Sequence, residues 1–104
     1  ELQRRETGVE LLARAQLAQG EPARAIATAE EAIAVARRRG ARHHEALALI
    51  AYAEVMLSTA GASRREEIES ALVTAASLIE ETGAALYELD LVRVRERART
   101  ELER

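Results

Sequence analysis

The chain has 104 residues, of which 48% are hydrophobic and only 2% aromatic, and its formal net charge at neutral pH is −3. A chain of this length forms one domain or part of a larger one. Because Cys is absent, disulfides and thiolate metal sites are excluded. All basic residues are Arg, and charges of both signs are interspersed, which excludes the basic face of a nucleic-acid-binding protein.

No membrane segment or signal peptide is visible. The longest uncharged stretches are much shorter than the ~20 apolar residues that span a bilayer. We therefore expect no membrane contact, and we expect the chain to lie in the cytoplasm. The sequence begins with Glu1 inside an apparent helix, and we expect residues 1–104 to be a single segment of a longer polypeptide.

The first predicted helix covers Leu2–Gln19. Gly8 weakens its start, so its ordered part is expected to begin near Val9, and Gly20 ends it. An apolar stripe at helical spacing supports the assignment and consists of Leu11, Leu12, Ala15 and Ala18.

The second predicted helix opens at Glu21-Pro22, since proline is tolerated in a first turn, and ends at Gly40. Arg37-Arg38-Arg39 before that glycine indicates a solvated helix C-terminus, with a phosphate site as the alternative. One face of the helix can pack closely on a neighbour because it consists of small side chains: Ala25, Ala29, Ala32 and Ala36.

The third predicted helix, Ala41–Ala60, is the one around which the others are arranged. Its middle, Ala46–Leu57, carries one charge and is apolar nearly all the way round, so it must be covered on more than one side. His43 and His44 lie in its first turn, where adjacent residues point in different directions, and we expect no metal to be shared between them.

The fourth and fifth predicted helices follow the break at Gly61. Ser63-Arg64-Arg65-Glu66 matches a capping box and predicts the start of the fourth helix, which ends at Thr82-Gly83. The fifth helix is predicted over Ala84–Arg104. Its apolar face fades after Val94, which is typical of a cap or of a helix whose next partner lies elsewhere in a longer chain.

The spacing of the glycines indicates an internal repeat. Gly20 and Gly61 are 41 residues apart, and Gly40 and Gly83 are 43 residues apart. The recurring order of helix, glycine, helix, glycine is typical of helical-hairpin repeats.

The residues around the first hairpin resemble a tetratricopeptide repeat (TPR). A Gly-acidic turn, Gly20-Glu21, precedes a helix with small residues seven apart, Ala25 and Ala32, and Leu12-Ala13 fits the large-small pair of the family's first helix. The resemblance implies an all-α fold, an α-solenoid of antiparallel helical hairpins with about five helices. The second repeat matches at Tyr52-Ala53 and Ala75 and departs from the pattern in two ways. Ile68 stands in place of a small residue, and the turn between the two helices is longer than expected.

Two longer stretches, Ala29–Gly40 and Glu80–Arg93, look like the TPR regions of large bacterial signal-transduction proteins. These are the MalT-like, LuxR-type transcription regulators and cyclase-linked relatives, in which the repeats act as a sensor or docking arm. The resemblance implies a protein-interaction module, with the DNA-binding and ATP-binding parts outside this chain.

Three functions are compatible with the sequence. The first is docking of a protein, a peptide or an intramolecular segment on the concave helical face. The second is a small-molecule-sensing pocket within the solenoid, and the third is an oligomerisation scaffold. The sequence contains no nucleophile–base pair, glycine-rich phosphate loop or metal-ligand spacing, so we expect no enzyme activity, no catalytic residue, no cofactor and no metal.

The TPR pattern implies that the first helix of each hairpin faces the concave side. Helical spacing then places Arg14 on the first helix, Glu54 on the central helix and Asp90, Arg93 and Arg97 on the last helix along one stripe. Glu54 is expected to lie between Arg14 and Arg93 or Arg97, either as a ladder of ion pairs or as a partner-binding surface.

Apolar residues of the central helix fall on the same predicted stripe. Leu47, Ile50 and Leu57 are expected to face solvent and bind a partner, unless the solenoid curves tightly enough to bury them. Glutamate at Ile50 or Leu57 is accordingly expected to spare the helices and abolish binding. The predicted partner-binding residues are Arg14, Leu47, Ile50, Glu54, Leu57, Arg93 and Arg97.

A repeat segment leaves both terminal faces bare. Leu2, Leu11 and the Leu86–Val94 face are expected to be covered by self-association as a symmetric dimer.

Overall fold

The structure is a computed structural model that describes residues 11–83 and 87–103. Within these residues the chain is helical and contains no strand, so the all-α prediction is confirmed. The start of the first helix, Leu2 and Leu86 lie outside the described residues. A short 3₁₀ helix, Gly61–Arg64, precedes α4, and the α-helices are α1 (11–18), α2 (Pro22–Arg39), α3 (Arg42–Thr59), α4 (Arg65–Thr82) and α5 (Glu88–Leu102).

The predicted glycine breaks are confirmed. Gly20, Gly40, Gly61 and Gly83 have φ angles of 80°, 67°, 56° and 68°. At Gly40 and Gly83 this left-handed backbone ends α2 and α4, and the glycine N–H is donated back to carbonyls of the last turn. A side chain at either position would be strained, so these glycines set where the helices end.

The predicted capping box at Ser63 is wrong. The Ser63 hydroxyl donates to the Ala60 carbonyl at 2.8 Å, and α4 begins two residues later, at Arg65, without a side-chain cap. The hydroxyl is used inside the tight 3₁₀ turn, which competes with capping for the same side chain. Glu66 and Glu67 still occupy the first turn of α4, where their charge is favourable.

The central position of α3 is confirmed. It packs against α2, α4 and α5, and buried residues lie on more than one of its sides. Most of them belong to one core cluster that draws on α2 to α5. A second, smaller cluster joins α1 and α2 to α3 through Ala13, Ala25, Ala29 and Val55.

We expect Ala32→Leu to lower the free energy of unfolding by about 1–3 kcal/mol, because added methylenes overpack a tight contact. Ala32 lies in the main cluster with 9% of its surface exposed, on the small-residue face of α2. Urea denaturation measures the change. Ala27→Leu, at an exposed position of the same helix, is the matched control. Equal stability of the two variants would show that this face does not pack closely.

Candidate functional site

Side chains from α1, α3 and α5 meet at Glu54. Arg14 Nε donates to Glu54 Oε1 at 2.9 Å. From the other side, Arg93 donates through Nη1 to Oε2 at 3.0 Å and through Nη2 to Oε1 at 3.2 Å. Both carboxylate oxygens of Glu54 therefore accept hydrogen bonds from guanidinium N–H groups. The predicted place of Glu54, between Arg14 and Arg93, is confirmed.

Asp90 closes this arrangement. Its Oδ1 accepts from Arg93 Nη2 at 2.7 Å, and its Oδ2 lies 3.4 Å from Arg14 Nη2. Two carboxylates and two guanidinium groups are thus joined in a ring of neutral total charge. We call Arg14, Glu54, Asp90 and Arg93 the Glu54 network. Asp90 lay on the predicted stripe but not among the predicted binding residues, although its i,i+3 spacing from Arg93 indicates a pair.

Burial and charge act in opposite directions on the Glu54 carboxyl. The Glu54 side chain is only 17% exposed. Burial alone raises its pKa, but the hydrogen bonds from Arg93 and the nearby charge of Arg14 outweigh burial and hold the pKa below its ordinary value. The hydrogen bonds to Glu54 and then to Asp90 raise the pKa of Arg93. Glu54 and Arg93 are therefore both charged at neutral pH.

Glu54→Gln is expected to lower the free energy of unfolding at neutral pH by about 1–2 kcal/mol, because the amide fills the same space without the charge-assisted bonds. The pKa of Glu54 is lowered in the folded state, so its stabilising effect is present above the unfolded-state pKa. It is lost as pH falls through the folded-state pKa. The stability difference from wild type should thus shrink below about pH 4.

Denaturant titrations across a pH series measure this difference. The matched control is Glu80→Gln, since Glu80 is exposed on α4 and has no ion pair within 11–83 and 87–103. It should change stability little. A constant difference between wild type and E54Q down to acid pH would contradict an electrostatic role of the network.

Arg97 lies beside the network without joining it. Its Nη2 donates to Ser58 Oγ at 2.8 Å, and its Nε pairs with Glu101 at 2.6 Å. Of the two predicted partners for Glu54 on α5, the structure therefore selects Arg93.

The predicted apolar stripe of α3 is core rather than surface. Ile50 is 0% exposed and Leu57 is 4% exposed, and both belong to the main core cluster. Leu47 is half-buried. The expectation that Ile50 and Leu57 face solvent is wrong, because residues of α2, α4 and α5 close over α3. The accessible part of the predicted site therefore consists of charged side chains and the half-buried Leu47.

An open groove that the sequence did not reveal lies between α2 and α4, above α3. It encloses about 590 Å³, and Tyr52 lies among its lining residues. Burial raises the pKa of Tyr52, and the charges of Glu30 and Glu67 raise it further. Other lining residues are Ile33, Arg37, Leu49, Glu66 and Ala71. The hydrophobic periodicity of the sequence does not predict this groove, because its width depends on the distance between α2 and α4 where both pack on α3.

A second open groove, of about 630 Å³, lies between α4 and α5. We call it the α4–α5 groove. Its buried lining residues are Leu72, Ala98 and Leu102, and two exposed valines, Val73 and Val92, line it as well.

The two histidines in the first turn of α3 lie side by side. The ring centroids of His43 and His44 are 4.1 Å apart, so the expectation that the two side chains point in different directions is wrong. Among residues 11–83 and 87–103, no group of three or more His, Asp or Glu side chains could hold a metal ion. In the same residues, no helix is long and apolar enough to cross a membrane.

No protein family, characterised protein or solved structure matches this chain. The resemblance to TPR regions of bacterial regulators therefore stays a prediction.

Proposed function

We propose that this chain is a non-catalytic interaction module, an α-solenoid segment that docks a partner protein or peptide on the face formed by α1, α3 and α5. The observation that supports it is the Glu54 network, in which Arg14, Glu54 and Arg93 come from every second helix of the chain. In stacked helical hairpins, the first helix of each pair lies beside the first helices of its neighbours. A meeting of α1, α3 and α5 is the contact that such stacking produces.

The exposed groups of this face define the partner's chemistry. The side chains of Arg14, Arg93 and Arg97 are 29%, 51% and 31% exposed. Each guanidinium has five donors in a planar fork that suits carboxylates. A partner that offers acidic side chains can bind the outer edges of these arginines while Glu54 keeps Arg14 and Arg93 in position and Glu101 and Ser58 hold Arg97. Such charged contacts give orientation and specificity more than affinity.

A docking surface fits the shape of the molecule better than a small-molecule pocket does. Small-molecule sites are concave, mostly apolar and bury most of the ligand. The two grooves on the described part of the chain are open to solvent and have charged side chains among their lining residues. We therefore place the sensing-pocket alternative second.

The proposal also covers the class of protein that contains this module. The resemblance of Ala29–Gly40 and Glu80–Arg93 favours a bacterial signal-transduction or transcription regulator, in which this module acts as a docking arm. The flanking reading frame tests this part: a nucleotide-binding loop upstream and a helix-turn-helix downstream are expected. Flanking sequence of an unrelated class would overturn the regulator context and leave the docking proposal untouched.

Site-specific photo-crosslinking tests the docking face. Ser58 is exposed and lies next to Arg97, so a photoreactive residue there retains all three arginines of the face and removes only the hydrogen bond that Ser58 accepts from Arg97. In cells of the source organism we expect one dominant adduct from position 58, and none from the control position Arg38, which is exposed at the end of α2. The adduct should disappear with Arg93→Glu. Equal adducts from positions 58 and 38 would count against the proposed face.

A further inference from the structure

Three of the five exposed large hydrophobic side chains in the described part of the chain lie on α4 and α5. In the described part of the chain, the large hydrophobic residues that remain exposed are Leu11 and Leu12 on α1, and Val73, Leu89 and Val92 on α4 and α5. Val73 is 68% exposed and Val92 51% exposed, and both line the α4–α5 groove. Leu89 precedes Val92 by one turn of α5. A grouping of this kind marks an interface more often than scattered single side chains do.

The rim of the same groove carries positively and negatively charged residues in equal number. The six charged lining residues are Arg65, Arg95, Arg99, Glu69, Glu96 and Glu103. Their sum is zero, so a strongly acidic or basic partner finds no complementary field there. A patch of mixed sign, by contrast, can face a copy of itself across a two-fold axis, where the same patch contacts itself.

Two of these six charges have no ion pair in residues 11–83 and 87–103, whereas the other four do. Arg65 pairs with Glu69, and Arg99 pairs with Glu96. The residues left over are one cation, Arg95, and one anion, Glu103. Arg95 lies on α5 and Glu103 directly follows its last residue, about two helical turns or roughly 12 Å further along the helix axis. In an antiparallel contact between two copies, Arg95 of each copy can meet Glu103 of the other.

We propose that the α4–α5 groove is the interface of a symmetric homodimer, in which the α4–α5 pair of a second copy docks face to face. Four packed helices then enclose Val73 and Val92 of both copies, as in a four-helix bundle. Reciprocal contacts between Arg95 and Glu103 set the register. Both surfaces use α5, but none of these residues belongs to the Glu54 network, so substitutions that test the interface leave the network in place.

Sedimentation equilibrium of the full chain over the micromolar range tests the interface. We expect a dimer for wild type. Val73→Glu with Val92→Glu should give a monomer with wild-type helical circular dichroism. The matched control, Leu11→Glu with Leu12→Glu, changes two exposed leucines on α1 and should leave the dimer intact. A wild-type monomer, a dimer that survives the valine changes, or loss of the dimer in the control would each overturn the proposal.

A charge exchange gives a second readout that does not depend on the valine variant being folded. Arg95→Glu should raise the dimer dissociation constant about ten-fold or more, because it places two anions in contact in each half of the interface. Combining Arg95→Glu with Glu103→Arg should restore most of the affinity. Absence of any effect of Arg95→Glu, or failure of the exchange to restore dimerisation, would overturn the proposed register and with it the symmetric contact.

Discussion

Ile50→Glu is expected to unfold the protein. Ile50 is 0% exposed and is among the largest fully buried side chains of the described residues. A glutamate at this position must either ionise among apolar side chains or stay protonated without hydrogen-bond partners, and both are costly. We expect a loss of more than about 4 kcal/mol, which is a large part of the stability of a small domain. Far-UV circular dichroism and urea denaturation measure it.

Leu11→Glu is the matched control for this change. Leu11 is 58% exposed on α1, so the same charge placed there should leave the unfolding transition nearly unchanged. The sequence-based expectation was the reverse, namely that Ile50→Glu spares the helices and affects only binding. A cooperative transition and wild-type helical content for I50E would restore that expectation and place Ile50 at the surface.

Ile68→Ala is expected to destabilise the protein by about 2–5 kcal/mol, because it opens a cavity in the main core cluster. Ile68 is 0% exposed on α4. The TPR pattern has a small residue at the corresponding place, so a chain that followed the family closely would accept alanine there. Thermal and urea denaturation of I68A therefore distinguish the tolerance of alanine that the TPR resemblance implies from the loss of stability that the packing around Ile68 predicts.

Leu11→Ala on α1 is the control, since it also shortens a large aliphatic side chain but at a position that is 58% exposed and outside the proposed dimer interface. Its effect on the free energy of unfolding should stay within about 0.5 kcal/mol. Comparable stability of I68A and L11A would mean that the space around Ile68 collapses on the smaller side chain.

The helices and most of their ends could be predicted from the sequence because they depend on neighbours along the chain. Gly40 and Gly83 end helices through their own backbone conformation, and Pro22 starts one through its fixed φ. The start of α4 could not be predicted in this way. There the Ser63 hydroxyl had two local uses, a helix cap and a tight turn, and the sequence pattern is the same for both.

The ion pairs around Glu54 could also be predicted. Arg14, Glu54 and Arg93 are charged residues at matching places of the predicted repeat, and an isolated charge on an apolar helix needs a partner. Helical spacing and one alignment between helices brought Arg14 to Glu54 but left Arg93 and Arg97 as alternatives on α5, and only the tertiary structure selects Arg93.

The face of α3 that meets solvent was decided only by the tertiary structure. On Ala46–Leu57 apolar residues point in every direction, so periodicity cannot distinguish an outer face from an inner one. Ile50 and Leu57 are buried because α2, α4 and α5 all pack on α3. How closely these helices approach α3 depends on the volumes of side chains that lie far apart in the sequence. The same distances leave Val73 and Val92 exposed in the α4–α5 groove, although the valines themselves are no more polar than those in the core.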